Sequence, residues 1–200
     1  MTDFDYAMLT LARGAPARRA FADRVRAAGL TAHGRRAGLF VAQLGWEASE
    51  TALLAERGGG EDKAFEGLLA ASEVVDSVSH TLKPTVRPLP DAALTPGGIY
   101  VHRWFEVNRS LVAEFIDLSA RAWPGFEAQF DARIFGLFEL TSEWEGSPAD
   151  SHHLLLVTRY ASHGVWEDSR DPTTEAMQTF ARRAQLTIST RAASSLLVAP

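Results

Sequence analysis

The chain has 200 residues, a net charge of −5 and no cysteine. These totals argue against a nucleic-acid-binding surface, which needs a basic excess, and they exclude disulfides and thiolate chemistry. The N-terminus is acidic and no apolar run approaches the length of a membrane span, so we expect no signal peptide, no membrane partner and a cytoplasmic location.

The first half predicts a βαββαβ unit over residues 1–83. Its strands read DYAMLTLA, AGLFVAQLGW and TALLAE, and TVRPL follows as an edge strand. Pro16 begins the first helix, and the glycines at 58–60 predict a turn into the second. The apolar stripes of the two predicted helices are Phe21, Val25 and Ala28 in the first, and Phe65, Leu68, Ser72 and Val75 in the second.

Residues 84–98 hold four of the nine prolines, which predicts a stiff linker. The second half, 99–200, then repeats the order of the first. Its strands read IYVHRWFEV, ARIFGLFEL, HHLLLVTRY and SSLLVA. Its helices are predicted at SLVAEFIDLSARAW, ending at Pro124 and Gly125, and from Asp171 and Pro172 onward.

An internal repeat connects the halves, because GLFVAQLGWE at 38–47 and GLFELTSEWE at 136–145 align without a gap. A βαββαβ unit folds into an antiparallel sheet with both helices on one face. Alternation in the second strand places Ile134, Gly136, Phe138 and Leu140 on the helix face, and Arg133, Phe135, Leu137 and Glu139 on the other.

That other face is too apolar to meet water, so we expect the two sheets to face each other around a lumen. The predicted fold class is therefore α+β, with tandem ferredoxin-like βαββαβ repeats that form an intrachain dimeric α+β barrel.

Two segments, IYVHRWFEVNRSLVAEFIDL and LLLVTRYASHGVWEDSRDP, resemble the NIPSNAP-like family of the dimeric α+β barrel (ferredoxin-like) superfamily. The resemblance covers the second half directly and the first half through the repeat. It implies a barrel that handles small molecules, since the superfamily includes antibiotic-biosynthesis monooxygenases, polyketide cyclases, haem-degrading enzymes and binding proteins. His102 and Trp104 depart from the usual family wording, so family site residues do not transfer directly.

Candidate site residues lie mainly on the predicted lumen face of the second half. His102 is the candidate proton-transfer group, with Tyr100, Trp104 and Glu106 on the same face, although a packed core histidine is the alternative. The opposite face of that strand is apolar except for Arg103. Polar and titratable residues are concentrated in this half, which therefore is expected to hold the working pocket.

Glu139 is the second candidate catalytic residue, because a carboxylate in an apolar lumen has a raised pKa and can act as a base. The alternative is a structural pair with Arg159 or Arg103. Arg133, Phe135, His153 and Arg159 are candidate ligand-binding residues. Trp144, with its repeat equivalent Trp46, is interpreted either as a plug at the barrel mouth or as an aromatic wall for a planar ligand.

Charged and histidine clusters elsewhere predict little chemistry. Arg18 with Arg19 and Arg182 with Arg183 are expected on solvated helix faces. His152 and His153 are adjacent in a strand and point to opposite faces, so no metal site is expected there.

Two functions remain open from the sequence. The first is a cofactor-independent enzyme of cyclase, isomerase or monooxygenase type that acts on a small apolar or aromatic substrate. The second is a non-catalytic binding or scaffold protein. No cofactor is expected, although haem could use His102 or His153 as an axial ligand. The expected partner is a small molecule, and the chain is expected to be a monomer or homodimer.

Overall fold

The computed structural model describes residues 2–44, 51–58, 63–142, 144 and 146–199. The chain divides into two compact units. The first unit comprises Met1–Lys83, Ala93–Gly97 and Ala193–Pro200, and the second comprises Pro84–Ala92 and Gly98–Ala192. Trp46, glycines 59 and 60, Glu143 and Glu145 lie outside the described residues.

The first unit is built on a sheet with two helices. Its elements are β1 (Phe4–Leu11), α1 (Ala15–Ala27), β2 (Ala37–Leu44), β3 (Thr51–Glu56), α2 (Lys63–Leu69) and the first part of β4 (Val74–Arg87). Antiparallel β1 lies between β3 and β4, and β2 pairs with β3. The core joins Phe21 and Val25 of α1 to Phe65 and Leu68 of α2, as the helix stripes predicted. The predicted second helix was too long, since Val75 belongs to β4 and is exposed.

The second unit repeats this plan with one additional short helix. They are β5 (Ile99–Asn108), α3 (Val112–Gln129), β6 (Ala132–Leu140), β7 (Ser151–Tyr160), α4 (His163–Asp168), α5 (Glu175–Ala184) and β8 (Thr187–Ala199). Antiparallel β7 lies between β5 and β6. The last residues of β8 belong to the first unit and pair with β2. Among the described helices, none has the length and apolar character needed to cross a membrane.

The hydrogen-bonded strand order is β1-β3-β2-β8-β5-β7-β6-β4, and it closes on itself because β4 pairs with β1. The strands of both repeats therefore belong to one closed order of hydrogen-bonded neighbours within the chain. The predicted α+β class and tandem ferredoxin-like arrangement are confirmed.

The repeated glycines have the same packing role in both units. A Cβ on Gly136 would lie 2.5 Å from the Phe138 ring, and a Cβ on Gly38 would lie 3.0 Å from the Phe40 ring. Residues two apart share a strand face, so the glycine leaves space for the phenylalanine that follows. The Gly-Leu-Phe repeat thus preserves a packing unit as well as a strand.

The predicted faces of β6 are wrong beyond its first residues. Ile134 pairs with Thr158 and Gly136 pairs with Val157, so β6 advances two residues while β7 advances one. This β-bulge reverses the alternation that follows it. As a result Leu137 joins Ile134 in the core beneath the helices, where the sequence had predicted Gly136 and Phe138.

Two predicted helix ends are also wrong. Pro124 lies inside α3, which continues to Gln129 and buries Trp123 and Phe126. We attribute this tolerance to the aromatic burial, which offsets the roughly 3 kcal/mol that an internal proline costs. The last helix begins at Glu175, three residues after Pro172, because Thr174 caps it by accepting a hydrogen bond from the Met177 N–H at 3.2 Å.

Candidate functional site

A cavity of about 350 Å³ lies in the second unit, where the helix-facing side of β5, β6 and β7 meets α3, α5 and the α4 segment. We call it the helix-side cavity. Alternation in β5 turns Val101, Arg103 and Phe105 toward it, while β7 supplies Leu156, Thr158 and Tyr160.

Aromatic rings form much of its wall. Phe126 contacts Phe180 at 5.5 Å and Tyr160 at 6.2 Å between ring centroids, both edge to face. Tyr160 in turn lies 6.3 Å from Trp166 of α4. Such offset and edge contacts are the arrangements that aromatic rings prefer. The wall is therefore a packed aromatic surface suited to a planar apolar molecule.

Arg183 of α5 is buried at the cavity, with 5% of its surface exposed. It donates a hydrogen bond to Ser119 Oγ at 3.2 Å. Its guanidinium also lies 4.5 Å from the Phe180 ring centroid and 4.9 Å from that of Phe105. Burial lowers the pKa of Arg183 to about 9, with the nearby Arg103 charge acting in the same direction. The expectation that Arg183 lies on a solvated helix face is wrong.

Arg103 faces the same cavity from β5. Burial lowers its pKa, Tyr160 opposes this effect, and Arg170 adds to it. Burial also raises the pKa of Tyr160, so its phenol stays protonated near neutral pH. Among the described lining residues there is no aspartate or glutamate.

Serine and threonine hydroxyls, such as those of Thr158 and Ser169, also line the cavity, together with two tryptophans. Nε1 of Trp123 and Nε1 of Trp166 are buried and have no hydrogen-bond partner among the described residues. Buried polar groups in folded proteins are nearly always hydrogen-bonded. Each nitrogen is enclosed by protein atoms, so neither is exposed to the cavity space.

A second cavity of about 410 Å³, here called the outer cavity, is lined by Trp104, Glu106, Trp144, His153 and Arg191, among others. The Trp144 and His153 ring centroids are 5.4 Å apart, and Ser147 Oγ lies 3.4 Å from His153 Nε2. Burial lowers the pKa of His153, so its imidazole is neutral near pH 7. Glu106 accepts a hydrogen bond from Ser189 Oγ at 2.8 Å.

The structure brings together three of the predicted site residues, Trp104, Trp144 and His153, around the outer cavity. His102 is fully buried, with its ring centroid 6.1 Å from that of Trp104, and burial lowers its pKa to about 3. Tyr100 is also buried.

Glu139 is not placed beside His102. Its carboxylate lies 3.0 Å from His152 Nε2, and not beside Arg159 or Arg103 as predicted for the structural alternative. The bulge in β6 explains this, because it turns Glu139 to the opposite side of the sheet from His102.

The remaining predicted residues do not form one cluster. Arg133 donates to the backbone carbonyls of Ala132 and Glu127. Arg159 lies 3.7 Å from Asp131, and Phe135 contacts Phe138.

The helix-side cavity was missed, although one signal was present in the sequence. Arg103 is the one charged residue on an otherwise apolar strand face formed by Val101, Phe105 and Val107, and such a position predicts a cation that points toward the core. The position of Arg183 carried no such signal, because it follows Arg182 on a helix with many polar residues.

Solved structures show the same fold over nearly the whole chain. An anthrone oxidase-like protein matches with a TM-score of 0.65 and 13% identity, covering 98% of this chain and 91% of that chain. A haem-binding protein from Thermus thermophilus matches with a TM-score of 0.58 and 10% identity, covering 98% and 90%. A ferredoxin-fold protein related to antibiotic biosynthesis monooxygenases, from Listeria monocytogenes, matches with a TM-score of 0.51 and 10% identity, covering 97% and 94%.

At these identities the comparisons establish the ferredoxin-like α+β barrel fold alone. No protein-family model matches the sequence, and no curated protein sequence matches it.

The residues do not fit a haem in the helix-side cavity. Haem iron takes an axial imidazole, thiolate, thioether or phenolate. The described lining holds no histidine, Met177 is its sole thioether, and the raised pKa of Tyr160 opposes a phenolate. At His102 no ring surface is accessible, so no porphyrin can lie beside it. At His153 the Trp144 ring occupies the space beside the imidazole that a porphyrin would need.

In the described part of the chain, no group of three or more acidic or histidine side chains is placed to hold a metal ion.

Proposed function

We propose that this protein binds a small aromatic or apolar organic molecule in the helix-side cavity of its second unit. The observation that carries the proposal is a cavity of about 350 Å³ with an aromatic wall and a few polar side chains in its lining, among them Arg103, Thr158 and Arg183. Ligand pockets commonly have volumes of roughly 300–1,000 Å³, with mainly apolar walls and a few placed polar groups. The cavity has both properties.

Binding is favoured over catalysis at this cavity by its chemistry. Its described lining offers no histidine or carboxylate that could take a proton, and Tyr160 holds its proton because burial raises its pKa. The names of two fold neighbours, an anthrone oxidase-like protein and a relative of antibiotic biosynthesis monooxygenases, support a small organic ligand. The resemblance of the second unit to NIPSNAP-like proteins is part of the same proposal.

Cofactor-independent proton transfer is a second candidate, and the outer cavity favours it. His153 is neutral near pH 7 because burial lowers its pKa, and it lies beside Trp144 and Trp104. A neutral imidazole next to an aromatic wall can remove a proton from a bound apolar substrate. If this candidate is right, turnover of a substrate falls on acidification as His153 gains a proton, and His153→Gln abolishes it.

Occlusion of the helix-side cavity tests the main proposal. Ala181 lines the cavity yet is exposed, so the larger side chain of Ala181→Phe fills the entrance without displacing the core. Isothermal titration with cinnamamide, a neutral planar probe, is expected to show binding to the wild type and its loss in this variant. Ala113→Phe, an exposed change on α3 outside the cavity lining, is the matched control and is expected to bind normally. Equal binding by all three proteins would place the ligand elsewhere.

A further inference from the structure

The charged side chains in the described lining of the helix-side cavity are all arginines. Arg103 and Arg183 face it from β5 and α5, and no described lining residue is an aspartate or a glutamate. A guanidinium group carries a positive charge, donates hydrogen bonds and accepts none. The described lining offers hydroxyl acceptors such as Thr158 but no carboxylate to match this charge.

The positive charge of this wall is not balanced by the described part of the chain. Two carboxylates of α3 are engaged elsewhere, since Glu114 pairs with Arg182 at 3.1 Å and Glu127 pairs with Arg87 at 2.7 Å. Glu106 is held by Ser189. Neither Arg103 nor Arg183 forms an ion pair with a described residue, and their like charges oppose each other.

A third arginine, Arg170, lies at the edge of the cavity and has a different setting. It is exposed and also borders a surface groove that contains Glu167, Asp168 and Asp171. Its charge is therefore partly balanced, and the unbalanced charge is that of Arg103 and Arg183. Burying charge without a counter-ion is costly in a low-dielectric interior. A site that keeps the buried Arg183 and the half-buried Arg103 without a carboxylate in its described lining is suited to an anion.

We propose that the ligand of the helix-side cavity is a planar aromatic carboxylic acid, whose carboxylate lies against Arg103 and Arg183 and whose ring lies among Phe105, Phe126 and Phe180. A carboxylate is negative and accepts hydrogen bonds, so it complements the two guanidinium groups. The rings supply the contact surface for the apolar part. This inference rests on the proposed binding function and adds the chemical class of the ligand.

A matched pair of probes separates the charge from the shape. Cinnamate and cinnamamide have nearly the same size, and cinnamate alone carries a negative charge. Isothermal titration of the full chain is expected to show that cinnamate binds at least about tenfold more tightly, the gain typical of a charge-assisted hydrogen bond. Arg103→Gln is expected to remove this preference, because cinnamate then loses more affinity than cinnamamide. Arg182→Gln removes an exposed arginine beside the buried one and is expected to keep the preference.

Arg103 is the better test position, because Arg183→Gln also breaks the contacts with Ser119 and three aromatic rings and can impair folding. Equal affinity of the wild type for cinnamate and cinnamamide would overturn the acid specificity and leave the binding proposal intact. Failure of both probes to bind would overturn both proposals. Displacement of cinnamate by an equal concentration of inorganic phosphate would overturn the aromatic part of the inference, because the arginines would then form a simple anion site.

Discussion

Arg182 and Arg183 are adjacent in α5 and have opposite environments. Arg182 is exposed and pairs with Glu114, whereas Arg183 is buried among three aromatic rings. Successive helical residues point about 100° apart, so one arginine can face solvent while its neighbour faces the core. The sequence predicted the same solvated face for both because composition does not record where a helix docks. Distinguishing them required the position of α5 on the sheet.

Gly136 and Gly38 allow a residue-scale prediction. Gly136→Ala is expected to lower the free energy of unfolding by about 1–3 kcal/mol, since its Cβ would overlap the Phe138 ring. Gly38→Ala is expected to behave likewise, because its Cβ would crowd Phe40, Leu94 and Leu197. Urea denaturation measures both. Gly125→Ala is the control, with no neighbour within 4 Å of the added Cβ. It is expected to stabilise α3 by about 0.5–1 kcal/mol. A stabilised Gly136→Ala would contradict the packing role.

His102 predicts a pH dependence of stability. Burial lowers its pKa in the folded protein from an ordinary value of 6.5 to about 3. Between these values the unfolded state binds a proton that the folded state does not, so stability falls as the pH drops below 6.5. Each pH unit costs about 1.4 kcal/mol for one proton. Urea denaturation should show that the unfolding free energy of the wild type falls more steeply between about pH 6 and about pH 4 than that of His102→Leu. The difference between the two slopes is expected to be roughly this amount per pH unit. If the unfolding free energies of the two proteins fall in parallel with pH, the pKa of His102 in the folded state is not lowered.

At the scale of elements, periodicity predicted the repeat but not its irregularities. The order βαββαβ followed from alternation in strands such as β5 and from the apolar stripe of α1. The bulge in β6 adds one residue at Phe135 and reverses the faces of Leu137 and Glu139. No local sequence signal marks this insertion, because it is set by the pairing with β7. The bulge also separates the two predicted catalytic residues, since it places Glu139 on the opposite side of the sheet from His102.

Capping of α5 gives a prediction at this scale. Thr174→Ala removes the oxygen that accepts from the Met177 N–H, so we expect a loss of about 1 kcal/mol in unfolding free energy. Because α5 carries Phe180 and Arg183, cinnamate binding should weaken as well. Gln178→Ala, at an exposed position of the same helix, should stay within about 0.5 kcal/mol of the wild type. Thermal denaturation measures the change in stability, and isothermal titration measures the change in cinnamate affinity. An unchanged Thr174→Ala would show that α5 is held by its packing alone.

At the scale of the whole molecule, two strands contribute residues to both units. β4 begins in the first unit and ends in the second, while β8 begins in the second and ends in the first. The closed strand order depends on both strands. Neither unit can therefore complete its sheet from one continuous stretch of chain. The proline-rich linker predicted over 84–98 did not suggest this sharing, since β4 continues through Pro84 to Arg87.

Sharing of β4 and β8 predicts that the chain unfolds in one transition. Four of the five tryptophans, at 104, 123, 144 and 166, belong to the second unit, so intrinsic fluorescence reports mainly on that unit. Far-UV circular dichroism reports on both. We expect the two signals to give the same urea midpoint, because loss of either unit removes strands that the other unit needs. The destabilising Gly38→Ala change in the first unit should then lower the fluorescence midpoint of the second. If Gly38→Ala instead splits the dichroism curve in two and leaves the fluorescence midpoint unchanged, the units unfold independently and the shared strands do not couple them.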